Sequence, residues 1–270
     1  MSWIDIGVNL TDPRLEQYPV IERALNADIK QMIITGTSLK KSVQALSIAN
    51  EYPYILSSTA GVHPHHAKEF SDQTRSELET LAKQNQVVAI GECGLDFNRN
   101  FSTQTQQIHA FEQQLQLACE LGLPVFLHER DAFDTQIKLL TQYRDKLVGG
   151  VAHCFTGNQQ QMKTYLDLDL YIGITGWVCD IKRGEDLRHA VASLPLEKVM
   201  LETDAPYLRP KTLPNDRKLD KGNNEPAYLP YVAKELANLM CVDLATLQKA
   251  SCNNAHRLFK LPKSDSNCAE

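Results

Sequence analysis

The chain has no apolar run near the roughly 18 residues that a membrane span requires. Its opening, Met1-Ser2-Trp3-Ile4-Asp5, lacks the basic stretch and apolar segment of a secretory signal. The expectation is a cytoplasmic protein with no membrane partner. Close-spaced cysteines are missing too. Cys93, Cys119, Cys154, Cys179, Cys241, Cys252 and Cys268 make an odd seven with no CxxC pair, which argues against a zinc ribbon or a disulfide framework. Positive charge is not in excess: 28 Lys and Arg against 33 Asp and Glu leave a net charge of -5. That argues against a protein that coats duplex nucleic acid by counterion release, but leaves room for an enzyme gripping one strand end through a metal and a few local cations. What is present is a globular composition, 43% hydrophobic and 23% charged over 270 residues, enough to bury a core without covalent staples.

Short β-rich runs alternate with longer segments of helical period, and no Pro/Ser-rich linker divides them. Strands are expected at 4–9, 31–36, 55–62, 87–92, 125–128, 150–153, 170–175 and 199–204, with ends recurring every 22 to 36 residues. Eight units of about 30 residues, each a strand and a helix, predict an α/β protein with a (β/α)8 TIM barrel fold as a single domain. Ile108, Phe111, Leu115 and Ala118 recur at helical spacing, as do Leu229, Val232, Leu236 and Leu239. Gly122 with Pro124 should end the long helix before the fifth strand. The other α/β arrangement, an open doubly wound sheet, is disfavoured because Gly7-Val8-Asn9-Leu10-Thr11 carries neither GxGxxG nor GxxxxGK. The barrel is expected over 1–262, followed by a polar tail at 263–270.

A barrel puts its chemistry at the C-terminal ends of its strands, and there the polar residues gather. The third strand ends in Gly61-Val62-His63-Pro64-His65-His66 and the fourth in Gly91-Glu92-Cys93-Gly94-Leu95-Asp96. His128-Glu129-Arg130 follows the fifth, His153-Cys154-Phe155-Thr156-Gly157 the sixth, and Glu202-Thr203-Asp204-Ala205-Pro206-Tyr207 the eighth. One histidine at a strand end is more often a hydrogen-bonded surface residue than a ligand. Three strands ending in histidine on the same face as a Glu and an Asp make a mixed nitrogen and oxygen pocket suited to a divalent cation.

These motifs, in this order from Asp5 to about Phe259, resemble the signatures of TatD-type metal-dependent deoxyribonucleases, barrels of the amidohydrolase superfamily. The resemblance implies a metal-dependent hydrolase of ester bonds, a 3′–5′ exonuclease on the ends of single-stranded DNA or RNA that uses magnesium, with DNA repair as its setting. Its pattern makes Glu92, His128 and His153 one metal site, with Asp204 beside another. Most relatives supply that other site with His-x-His at the end of the first strand, where this chain has Gly7 and Asn9. A weak site built from Glu92, Asp204, Asn9 and waters would suit Mg²⁺, with Mn²⁺ or Zn²⁺ as the other candidates. Restoring both histidines should therefore raise the metal stoichiometry. Asn224-Glu225-Pro226 resembles a family loop that usually carries Arg where this chain has Asn223.

Catalytic roles are expected for Asp204, accepting the proton of the attacking water, and for His63, stabilising the developing charge. His63 precedes Pro64, which fixes the backbone and could aim the imidazole at a phosphate; the alternative is a structural role. His65 is a candidate substrate contact, and His66 is read as solvated. Arg130 could fork onto a phosphate or pair with Asp131 or Asp134. Trp177 could stack on a base or anchor its loop. His109, His189 and His256 lie in helical segments and are read as structural, and strand alternation should turn Cys93 and Cys154 toward the helices. Ligand histidines bind metal only when neutral, so acid below their ordinary pKa of about 6.5 should weaken activity. A monomer is expected. The same centre could instead hydrolyse an ester or amide such as aminoacyl-RNA, and loss of the first histidine pair could have left a binding protein.

Overall fold

A computed structural model describes residues 2–214 and 222–262; the tail expected at 263–270 lies outside them. All eight expected strands form: β1 Trp3–Val8, β2 Ile29–Ile34, β3 Leu56–Ala60, β4 Val87–Asp96, β5 Val125–Arg130, β6 Gly150–Ala152, β7 Tyr171–Ile174 and β8 Val199–Leu201. They pair in parallel in sequence order. The ring closes between its first and last members: Val8 bridges Ala205, the Asn9 amide donates to the Ala205 carbonyl at 2.8 Å and the Asp204 amide to that of Gly7 at 2.8 Å. Helices alternate with the strands. The architecture is therefore the (β/α)8 barrel that the strand spacing predicts.

Strand alternation divides the core. Ile33, Phe126 and Met200 belong to an inner cluster, while their neighbours Met32, Ile34, Val125, Leu127, Val199 and Leu201 join the cluster shared with the helices. Ala255, Leu258 and Phe259, from the helix Leu244–Phe259, pack with the inner cluster. The same alternation positions the site. His128 follows Phe126 by two residues, His153 follows Val151, and Glu202 follows Met200, so each polar group sits beyond an inward apolar residue. The long helix Gln104–Leu121 starts with a capping box at Thr103 and ends at Gly122 in the left-handed region, φ 63°, as expected.

Two departures have local causes. β4 runs four residues past its expected end, through a register shift between Gly91 and Cys93, and so carries both Glu92 and Asp96. Cys93 faces the helix layer as expected, but Cys154 does not. β6 has already ended and Cys154 adopts φ 48°, so alternation no longer applies and its thiol lines the mouth, 3.7 Å from Thr175 Oγ1. Among the described residues no helix is long and apolar enough to cross a membrane.

Candidate active site

A cavity of about 1300 Å³ opens at the C-terminal end of the barrel. It brings together every expected site residue: His63, His65, Glu92, His128, Arg130, His153, Trp177 and Asp204. At its floor Glu92 Oε1 is the common point, 2.9 Å from His128 Nδ1, 3.5 Å from His63 Nε2 and 3.8 Å from His153 Nε2. Asp204 Oδ1 lies 3.9 Å from His153 Nε2. Ligands held at roughly 2.0–2.2 Å from a cation stand on the order of 3–3.5 Å from one another. The His128 nitrogen turned to Glu92 is Nδ1; its Nε2, buried and without a hydrogen-bond partner among the described residues, lies on the other side, 3.7 Å from Asp96 Oδ2. This donor set fits a divalent cation.

The tightest donor group is His63, Glu92 and His128, within 4.8 Å of one another. Hydrogen bonding separates His63 from the other imidazoles. His63 caps the short 3-10 helix Pro64–Glu69, its Nδ1 accepting from the His65 amide at 3.1 Å. The ring proton of a neutral His63 therefore sits on Nε2, which faces the cavity as a donor rather than as a ligand lone pair. Burial first, then the neighbouring His128, holds its pKa well below the ordinary value, so the neutral form prevails. His153 is arranged oppositely. Its Nδ1–H donates to Glu202 Oε2 at 2.5 Å, leaving Nε2 free to take a cation.

Burial would raise the Glu92 pKa, but His63, His128 and His153 outweigh it and hold the carboxyl well below its usual range. Asp204 goes the other way. Burial above all, then the charges of Glu92 and Glu202, push it up to about 7, against the pull of His153 and the Asn9 hydrogen bond. Its backbone is left-handed, φ 52°, and Asn9 Nδ2 donates to its Oδ1 at 2.9 Å and to the Ala205 carbonyl at 3.2 Å.

The outer residues resolve their alternatives unequally. His65 donates to buried Asp96 at 2.7 Å and lies edge-on to Phe101, 4.8 Å between centroids. Neither Asp131 nor Asp134 pairs with exposed Arg130; Asp131 instead accepts from Asn98 at 2.7 Å. Trp177 is half-buried on the 3-10 helix Gly176–Cys179, with the Arg183 guanidinium 4.6 Å over its ring. Asn223 donates to the Arg14 carbonyl at 3.5 Å. His109 and His189 are exposed on helices, and His256 is half-buried on another.

Two carboxylates with evident roles carried no expected role. Asp96 accepts from His65 and approaches His128 Nε2 to 3.7 Å. Glu202, fully buried, accepts from His153 Nδ1 and from the Cys154 amide, both at 2.5 Å. The available signal was the two-residue spacing of Glu202 and Asp204, which on a strand shares a face. Glu202→Gln offers one acceptor oxygen for these two donors, so one of them must face the new NH₂ group. Metal affinity is expected to fall about 10- to 100-fold, read by chelator competition. An unchanged affinity would show that Glu202 does not orient His153.

A parallel eight-stranded barrel with a carboxylate and imidazole cluster at its C-terminal mouth defines a class, the barrel hydrolases. Within that class the chain belongs to the TatD family: the family model described as TatD related DNase matches residues 4–260. It is 47% identical over 262 residues to the 3′–5′ ssDNA/RNA exonuclease TatD of Salmonella typhimurium, covering 95% of this chain and 98% of the relative. The enzyme of that name from Yersinia pseudotuberculosis is 48% identical over 259 residues, 95% and 99% of the two chains. Among solved structures, a TatD homologue from Escherichia coli K12 superposes with a TM-score of 0.87 at 28% identity, over 96% and 98% of the chains. A TatD family hydrolase from Entamoeba histolytica gives 0.85 at 27% identity, over 97% and 99%.

Proposed function

We propose that the protein is a metal-dependent 3′–5′ exonuclease that hydrolyses phosphodiester bonds at the ends of single-stranded DNA and RNA. The observation that carries this reading is the convergence of Glu92, His128, His153 and Asp204 at the floor of an open cavity, in a chain 47% identical to relatives named for that activity. Glu92, His128, His153 and Asp204 would hold the metal, with magnesium as the proposed ion for the oxygen-rich side that Glu92, Asp204, Asn9 and waters would form. The cation supplies charge neutralisation on the phosphate and a lowered pKa for the attacking water.

Asp204 accepts the water's proton; before metal binds, burial and the charges of Glu92 and Glu202 push its pKa up to about 7, and a bound cation would lower it. His63 donates from Nε2 to a phosphate oxygen as charge develops there. The new bond joins water oxygen to phosphorus, the bond to the 3′ oxygen of the shortened strand breaks, and that oxygen takes a proton from solvent to become the new 3′ hydroxyl. Arg130, without a carboxylate partner among the described residues, would clamp a neighbouring phosphate, while His65 and Trp177 border the strand's path. A monomer is the proposed state. The proposed setting is the cytoplasm and DNA repair.

Single strands of DNA and RNA labelled at one end test the reading: with Mg²⁺, a 5′ label should yield a descending ladder and a 3′ label a mononucleotide at once. Release of the amino acid from aminoacyl-RNA with the strand intact would instead establish an ester or amide hydrolase. Binding without turnover under Mg²⁺, Mn²⁺ and Zn²⁺ would establish a binding protein.

Proton competition extends further than a pKa of about 6.5 implies. Burial works against the charged form of both ligand histidines, yet Asp96 and Glu92 outweigh it at His128, pushed up to about 9. Glu202 and Glu92 do the same at His153, pushed up to about 10. Both rings are therefore protonated at pH 7 before metal binds, and both must lose a proton to become ligands. Affinity should rise with pH through neutrality toward those values, with release of about two protons per ion at pH 7 from these two rings. Calorimetry in buffers of different ionisation enthalpy counts them. A count near zero would remove these two rings from the ligand set.

A further inference from the structure

Tyr207 stands three residues beyond Asp204 on the rim of the mouth, its amide donating to the Asp204 carbonyl at 3.0 Å. It is 47% exposed, one of the large apolar side chains that the fold leaves open to solvent. The Arg14 guanidinium covers one face of its ring, 4.5 Å from the centroid. Arg14 is itself fixed, donating from Nε and Nη2 to the two oxygens of Asp12 at 2.9 and 2.8 Å. The Asp12 amide donates to the Asn9 carbonyl at 2.9 Å, and the Asn9 side chain holds Asp204. Arg14 thus backs one face of the ring, and the backbone bond to Asp204 fixes its offset from the reacting centre.

Chemistry narrows what the ring can take. Asp12 neutralises Arg14, so a phosphate arriving there would meet a carboxylate. A flat, uncharged partner avoids that repulsion and can stack on the aromatic ring, as nucleobases do. The end of the neighbouring strand β7 repeats the pattern: Arg183 lies over Trp177 and donates to Asp180 at 2.5 Å. Two aromatic rings, each backed by a guanidinium that a carboxylate fixes, border one cavity.

We propose that Tyr207, backed by Arg14 and Asp12, is a stacking platform for one nucleobase of a single strand whose end lies at the Glu92 and Asp204 centre. This rests on the exonuclease reading and deepens it. A base paired within a duplex has no free face to offer, so the platform selects single strands.

The test measures the dissociation constant of a fluorescent single strand of about six nucleotides, in the Glu92→Gln background so that turnover does not intervene. Tyr207 is compared with Tyr207→Ala, Tyr207→Leu and Tyr207→Phe, on the intact strand and on strands with one abasic site moved stepwise from the 3′ end. Melting temperatures confirm the fold. Tyr207→Ala should weaken binding of the intact strand about 5- to 100-fold. Leucine, which has bulk but no aromatic face, should behave as alanine does, and phenylalanine should stay within about threefold of the parent. At one abasic position the parent and Tyr207→Ala should coincide. Three results would overturn the platform: no effect of alanine, equal damage from phenylalanine, which would point to the hydroxyl, a donor to Asp12 Oδ2 at 3.5 Å, or an alanine effect indifferent to every abasic site. Turnover of single strands without Tyr207-dependent binding sinks the platform alone. Tyr207-dependent binding in a wild-type protein that releases no nucleotide sinks the exonuclease reading and leaves the platform standing.

Discussion

Glu92→Gln is expected to lower kcat by about a thousandfold or more while the melting temperature stays within about 5 °C of the parent. The side chain keeps its shape and loses its charge. Three imidazole nitrogens lie within 3.8 Å of Glu92 Oε1, so no other carboxylate in the site has as many of these partners to lose. Without that charge the donor set keeps one carboxylate, Asp204, whose pKa burial and Glu202 still raise although the contribution of Glu92 is gone. The fold should survive, because His153 retains Glu202 and His128 retains Asp96 as neighbours. Titrating the variant with Mg²⁺ and Mn²⁺ separates lost affinity from lost chemistry, and circular dichroism checks the fold. Activity within tenfold of the parent at saturating metal would place Glu92 outside the centre.

Much of the fold was legible because parallel barrel strands, buried on both faces, read as short apolar runs at a nearly constant interval. The positions of His128, His153 and Asp204 at strand ends followed from that spacing. The finer features depend on groups distant in sequence. Whether His63 offers a lone pair or a proton is decided by the amide of His65, which no spacing reveals. Glu202 and His153 are 49 residues apart, and their pairing follows only from the closeness of β6, β7 and β8 in the ring. Cys154 escapes strand alternation because the chain turns left-handed immediately after β6.

The exchange of the first-strand histidines for Gly7 and Asn9 has a different consequence from the one that the family pattern implies. A Cβ at Gly7 would stand 2.6 Å from Glu202 Oε2, 3.2 Å from Phe126 Cζ and 3.3 Å from His153 Cε1. The space is occupied by the pair that orients a proposed ligand, so an imidazole there must displace Glu202, His153 or both. Asn9→His removes a second support, the hydrogen bond to Asp204 Oδ1. Gly7→His with Asn9→His is therefore expected to leave metal stoichiometry unraised, to destabilise the fold by about 1–3 kcal/mol through overpacking, and to cost about a hundredfold or more in activity. Gly7→Ala isolates the steric part: one methyl should lower both melting temperature and activity, because neither Glu202 nor His153 can yield without weakening its 2.5 Å hydrogen bond. Elemental analysis, thermal melts and turnover of a labelled single strand measure the three effects. A folded double variant holding two ions per chain, with activity within tenfold of the parent, would show that the mouth can repack around a histidine at position 7 and that Glu202 is not fixed where it stands.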